Sequence, residues 1–180
     1  MFCGCTALTT APALPATTLA ESCYYGMLSG CTGLSTAPKL PAKTLADCCY
    51  LGMFNGCTGL ETAPELPATT LADYCYIEMF FDCTALTTAP ELTATKLANG
   101  CYMQMFCYCS SLSSVTMLAT DVSAEMCLEN WLYEAGTNVQ GPVPTLTLYN
   151  EDVHNKIQEL KSYGFNYLPE IWSNIQYKYY

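Results

Sequence analysis

CTGLETAPELPATTLADYCYIEMF, from Cys57 to Phe80, recurs in altered form up and down the chain at a fixed step of 26 residues. Met1, Met27, Met53, Met79 and Met105 share one phase of that step, and Trp131 stands at the next. Cys5, Cys31, Cys57, Cys83 and Cys109 share a second phase, and Cys23, Cys49, Cys75, Cys101 and Cys127 a third. A period in this range with apolar residues in register is the sequence signature of a solenoid.

Four copies align best: 1–26, 27–52, 53–78 and 79–104. Half of their phases are unchanged, among them those of Met1, Cys5, Leu8, Pro12, Leu14, Leu19, Cys23 and Tyr24. Within the quoted stretch and just beyond it, Leu71, Ala72, Cys75, Tyr76, Met79, Phe80 and Cys83 step by four and three, the stripe of an amphipathic helix. Thr18 to Glu21, Thr44 to Asp47 and Thr70 to Asp73 have capping-box spacing, and Gly4, Gly30 and Gly56 stand where a left-handed C-cap belongs. The spacing therefore predicts about ten helical residues per copy. The Thr-rich run from Cys57 to Pro64 predicts a short parallel strand, closed by a proline that has no N–H to donate. Leu60, Ala63 and Leu66 should face inward, and Glu61 and Glu65 outward.

The expected fold class is α/β: a right-handed β/α solenoid over 1–136 with a C-terminal α/β cap over 137–180. A degenerate fifth copy, 105–130, has Val115-Thr116 in place of Ala-Pro, and a partial sixth occupies 131–136. In the cap, Thr145 to Tyr149 should be a strand. Asn150 should cap a helix with Glu151 and Asp152 in its first turn, Val153, Ile157 and Leu160 as its apolar stripe and Gly164 at its end. Tyr167 to Tyr180 suits a short helix or a docked strand. The first copy opens in mid-repeat and has no such shield, which leaves a fragment of a longer protein, cover by a partner, or self-association through this end as the expectations. No signal peptide is read at Met1.

The 180 residues carry 6 basic and 16 acidic side chains, a net charge of −10, and no arginine. Phosphate recognition relies on basic side chains, so a nucleic-acid partner is not expected, nor is an anionic membrane surface. No apolar run reaches the roughly 18 residues of a membrane span. Ten of the 13 cysteines occupy two phases of the repeat. That pattern points to two buried thiol columns, because a free thiol packs as a small hydrophobe. With His154 as the single histidine and no Cys-x-x-Cys, neither a metal nor any other cofactor is expected. A cysteine nucleophile would need a base, and His154 falls on the cap helix, away from the repeated thiols. The chain is therefore read as non-enzymatic. The tyrosines at 24, 50, 76 and 102 should pack beside a thiol column with their hydroxyls at the rim.

The repeat MFxGCTxLxTAPxLPATTLAxxCY resembles the BspA-like leucine-rich repeats of gut Bacteroides surface proteins, over about residues 1–132. The resemblance implies a leucine-rich-repeat solenoid, a secreted or cell-surface location and adhesion to host or microbial ligands. Residues 137–180 depart from the ending that the family would suggest. Phases 9, 13, 17, 18, 21, 22, 25 and 26 vary between copies, as on a constant scaffold that displays different side chains. Outward strand positions are the expected partner-binding surface: Thr9, Ser35, Glu61 and Thr87, with Lys39, Glu65 and Glu91 beside them. A protein or glycan ligand is the expected partner. The alternatives are a structural spacer or assembly subunit of a filament, stalk or phage fibre, and a cytoplasmic interaction scaffold.

Overall fold

A computed structural model describes residues 1–161 and 167–179. The chain is a mixed α/β protein with four regular elements among these residues: β1 (Ser114–Met117), β2 (Thr145–Leu148), α1 (Glu151–Lys161) and β3 (Asn174–Tyr177). The three strands form one parallel sheet in the order β1-β2-β3, with Ser114 opposite Thr145 and Thr145 opposite Asn174.

The segments expected to be helices are not helical. Residues 47–56 form a run of overlapping turns in which alternate N–H groups look in different directions. Cys49, Leu51, Met53, Asn55 and Cys57 donate to the carbonyl three residues back along the chain, within the same turn run. Cys48, Tyr50, Gly52, Phe54 and Gly56 donate instead to Asp73, Cys75, Ile77, Met79 and Phe81, each 25 residues ahead in the next copy, at 2.8–3.1 Å. An α-helix would use all these donors internally and leave neighbouring copies held by side chains alone. Here the backbone itself fastens each copy to the next.

This path needs a left-handed residue at every fourth position. Gly4, Ser22, Gly26, Gly30, Cys48, Gly52 and Gly56 all have positive φ, and the same three phases stay positive through Tyr74, Glu78 and Asp82 to Met126, Asn130 and Glu134. Gly4, Gly30 and Gly56 are thus left-handed as their spacing suggested, but they close turns and no helix. The period is four, not 3.6: the buried pairs Cys49-Tyr50 and Met53-Phe54 are followed by Cys57. Over two turns, steps of four and three do not separate these two periods. The capping-box reading fails with the helix. Thr18, Thr44, Thr70 and Lys96 form a row of single parallel bridges that ends on Asp121.

Proline decides where strands form. Copies with Ala-Pro at the strand position pair only through isolated bridges such as Thr36 with Thr62 and Thr88 with Ser114, because proline offers no N–H to a ladder. In the fifth copy Val115-Thr116 stands there, and the row becomes the continuous strand β1. That copy also slips by one residue: Leu92 pairs with Met117 and Lys96 with Asp121, 25 apart instead of 26. Leu60 and Leu66 are buried, Ala63 half-buried, and Glu61 and Glu65 exposed, as their spacing implied.

The C-terminal region follows its sequence closely. Asn150 Oδ1 accepts the Val153 N–H at 3.0 Å, which caps α1, and Val153 and Ile157 are buried. Gly164, expected to end the helix, lies outside the described residues. Of the two forms open to the tail, the docked strand is found, as β3 beside β2. Trp131 Nε1–H donates to the Tyr167 carbonyl, and Trp172 Nε1–H donates to the Ala135 carbonyl at 3.2 Å.

The core is a set of columns, one residue per copy. Tyr24, Tyr50, Tyr76 and Tyr102 stack with centroids 5.6, 5.7 and 6.1 Å apart. Phe54, Phe80 and Phe106 stack at 5.6 Å. Tyr50, Tyr76 and Tyr102 are only 1–2 % exposed, so their hydroxyls are inside and not at the rim.

Side chains with a Cβ pay a steric penalty of about 1–2 kcal/mol in the left-handed region. Gln104, at φ 53°, keeps its backbone bond to Glu129 whichever side chain it carries. Gln104→Gly should therefore raise stability by about 0.5–1 kcal/mol after the greater freedom of an unfolded glycine is subtracted. Urea unfolding of Gln104→Gly beside Gln104→Ala checks this, since alanine should give no gain.

Candidate functional site

The prolines that interrupt the strands also shape the surface. Ala37, Pro38, Lys39, Leu40 and Pro41 of one copy face Pro64, Glu65 and Pro67 of the next across a shallow cleft of about 370 Å³. A second cleft of about 320 Å³ runs from Pro64, Glu65 and Pro67 to Pro90, Glu91 and Thr93. The two share a wall and so make one groove crossing three copies. Leu40 and Leu66 are buried beneath it. Its walls are proline rings, and Lys39, Glu65 and Glu91 stand exposed around it. Lys178 Nζ donates to Glu91 Oε1 at 2.8 Å, with both side chains 44 % exposed. Such a pair contributes at most about 1 kcal/mol, so Glu91 can exchange it for a ligand.

All seven residues chosen from the sequence are exposed. The structure divides them into two rows. Lys39, Glu65 and Glu91 gather at the groove. Thr9, Ser35, Glu61 and Thr87 lie outside its lining, the last three on backbone that pairs from copy to copy: Glu61 N–H donates to the Ser35 carbonyl at 3.0 Å, and Ser113 N–H to the Thr87 carbonyl at 2.8 Å. The proline walls were missed as a surface. Their recurrence at fixed phases was the available signal, and it was read only as a strand stop.

A second surface feature also escaped the sequence reading. Asp47 Oδ1 accepts the Asp73 N–H at 3.1 Å, Asp73 Oδ1 accepts the Asn99 N–H at 3.0 Å, and Asn99 Oδ1 accepts the Glu125 N–H at 3.1 Å. Side chains of one phase thus form a ladder parallel to the backbone one. Beside it, Thr70, Asp73, Thr95, Lys96 and Asn99 line a polar cleft of about 500 Å³. Asp121 accepts bonds from the Ser123 hydroxyl at 2.6 Å and the Ser123 N–H at 3.0 Å, which hold its carboxyl below the usual range.

The thiols are sited by the same stacking. Cys31, Cys57, Cys83 and Cys109 are buried, and each Sγ–H donates to a carbonyl 29 residues earlier in the preceding copy: Phe2, Leu28, Phe54 and Phe80, at 2.9–3.2 Å. Cys49, Cys75, Cys101 and Cys127 are buried likewise, whereas Cys3, Cys5 and Cys23 are exposed. Burial disfavours the thiolate. It pushes the Cys49 thiol up to about 11 and the Cys57 thiol up to about 12. A buried thiol held protonated is a poor nucleophile at neutral pH.

His154 lies on α1, as expected, and its Nδ1 is 3.0 Å from the Tyr177 hydroxyl. Among the described residues no group of three or more His, Cys, Asp or Glu side chains is placed to hold a metal ion. Among the same residues no helix is long and apolar enough to cross a membrane.

Two outcomes test the thiol arrangement. Iodoacetamide under native, reducing conditions should modify Cys3, Cys5 and Cys23 readily and the nine buried cysteines only on unfolding, read by mass spectrometry. The buried Cys49 and Cys57 thiols titrate above the ordinary value of 9.0, so their stabilisation is fully present below pH 9. Stability should then fall as pH rises through about 11 to 12, measured by denaturant unfolding across that range.

Compared with known proteins, the chain matches no family model, no curated protein and no solved structure.

Proposed function

We propose that this chain is a non-enzymatic binding module, and that the proline-walled groove is where it takes its ligand. The observation that carries the reading is the groove itself. It runs over three successive copies, its walls are built from residues at repeated phases, and its rim changes from Lys39 to Glu65 to Glu91. Apolar walls with a few charged groups at the edge suit a protein segment or a glycan, where stacking on rings supplies area and the charges set orientation. The net charge of −10 favours a partner that is neutral or basic where it meets Glu65 and Glu91.

The architecture proposed for the module is a right-handed solenoid of 26-residue units over 1–136, with 137–180 as its C-terminal cap. It is of the leucine-rich-repeat kind, with chained turns in place of the helices of a β/α unit. Support comes from the hydrogen bonds between residues 25 or 26 apart that link one copy to the next. A BspA-like adhesin, secreted or held at the cell surface, is the setting in which such a module fits best. That setting rests on the repeat sequence.

The test is a screen of the whole chain against glycan arrays and extracellular matrix proteins, followed by Glu65→Lys and Glu61→Lys on whatever binds. Glu65→Lys should weaken binding about tenfold, or about 1.4 kcal/mol. Glu61→Lys, outside the groove, should change it much less. Equal affinities for both variants and the parent would remove the ligand from the groove.

A further inference from the structure

The turn stack changes character between its early and late copies. At the phase of Gly4, Gly30 and Gly56 the chain carries Asp82, Tyr108 and Glu134, and at the phase of Cys3, Ser29 and Asn55 it carries Phe81, Cys107 and Tyr133. All six residues of the first phase keep the left-handed backbone, so Tyr108 bears a ring at φ 62° where glycine would sit without strain. Tyr108 gains little burial in return, being 43 % exposed, and Tyr133 is 37 % exposed. The rings touch edge to face, Phe81 with Tyr108 at 5.4 Å and 71°, and Tyr108 with Tyr133 at 5.7 Å and 90°. Their backbone is fixed, because the Asp82 N–H donates to the Cys107 carbonyl and the Tyr108 N–H to the Tyr133 carbonyl, both at 2.8 Å. Carboxylates surround the patch. Burial first, and then the Glu78, Glu134 and Asp82 carboxylates, push the Cys107 thiol beside Tyr108 up to about 12. The two ion pairs found among the described residues, Lys96 with Asp121 and Lys178 with Glu91, leave all three acids without a cation.

We infer that Phe81, Tyr108 and Tyr133, with Glu78, Asp82 and Glu134 around them, form a docking surface for an arginine-bearing segment of a partner protein. Rings in edge contact leave no space between them for a compact ammonium, so what they offer a ligand is their outer faces, which attract a flat cation. A guanidinium lies on such a face and also gives a forked pair of hydrogen bonds to a carboxylate at its edge, which a lysine ammonium does not. A second copy of this chain is not the occupant, since it has no arginine to offer and carries a net charge of −10. None of the six residues lines the proline groove, so the surface does not depend on what binds there.

The probe is the peptide Gly-Arg-Gly-Arg-Gly, acetylated and amidated, titrated with the full chain in about 0.15 M salt, where long-range attraction to the acidic surface is screened. Proton NMR follows the arginine δ-methylene signal, which ring currents move upfield only where the side chain lies over an aromatic face. The expected result is a saturable upfield shift. Tyr108→Gly and Tyr133→Ser give the patch the residues of the second copy, Gly30 and Ser29. Each should weaken binding about tenfold, the loss expected of an aromatic anchor. Glycine suits the left-handed backbone at 108, and denaturant unfolding checks that this variant still folds. Glu134→Gln should weaken binding about threefold, whereas Glu21→Gln, the same change of charge in the first copy, should leave it as it was. The lysine counterpart of the peptide should bind more weakly, and the citrulline counterpart, flat but neutral, should not bind. No shift at millimolar peptide, or equal affinities for the parent and a folded Tyr108→Gly, would overturn the docking surface. Equal binding of the lysine peptide would overturn the assignment to arginine, and so would tetramethylammonium displacing the arginine peptide at lower concentration than guanidinium does.

Discussion

The arrangement depends on how one backbone shares its donors. In the turn segments every second N–H is used within the same turn run and every other one in the neighbouring run. Neither set alone would suffice. The inner set holds the turns tight enough to bring paired side chains such as Met53 and Phe54 inward, and the outer set fixes the spacing at which the next pair arrives. Buried backbone groups must be paired, so the 26-residue step cannot drift without breaking many bonds together. The side-chain columns follow from it. Rings 5.6 Å apart in the Phe54, Phe80 and Phe106 stack are held at that distance by the ladder beside them.

That constraint explains the composition. Large apolar residues recur at invariant phases because each sits directly over its counterpart, and a thiol suits a site with room for one small atom and a carbonyl within 3.2 Å. Lys, Glu and Asp are confined to phases where the path turns outward. A Tyr74 ring can even lie over the next copy because Gly100 stands there: a Cβ at that residue would come within 2.4 Å of the ring.

Much of this was legible in the sequence, and the unread part has a common cause. The repeat step, the inward and outward residues, the thiol columns and the Asn150-capped helix could all be read because each depends on side-chain identity at a fixed position. The turn segments could not. Cys75, Tyr76, Met79, Phe80 and Cys83 satisfy a 3.6-residue period and a four-residue period equally well, and helix is the commoner meaning of such a stripe. The distinguishing mark was Gly26 and Gly52, each inside a supposed helix and four residues before the glycine read as its cap. In the next turn segment Tyr74, Glu78 and Asp82 hold the same left-handed backbone without glycine and conceal it. The groove was half legible: Lys39, Glu65 and Glu91 were picked out as outward and variable. The prolines that make it concave were read for what they remove from a strand and not for the surface they leave.

The one-residue slip in the fifth copy has a mechanical consequence. Under a pull applied along the chain, identical copies fastened by identical rows of bonds would share the load and yield in no fixed order. The shortened step between Leu92 and Met117 and between Lys96 and Asp121 makes one junction unlike the others. Beyond it lies a continuous parallel sheet, and before it lie single bridges separated by prolines. The proline-bearing copies are therefore the compliant part of the molecule and the C-terminal region its anchor. Each copy that peels away releases about 90 Å of extended chain, at roughly 3.5 Å per residue. A ligand seated in the groove would bridge the copies that give way first, so its binding would stiffen the molecule along its length.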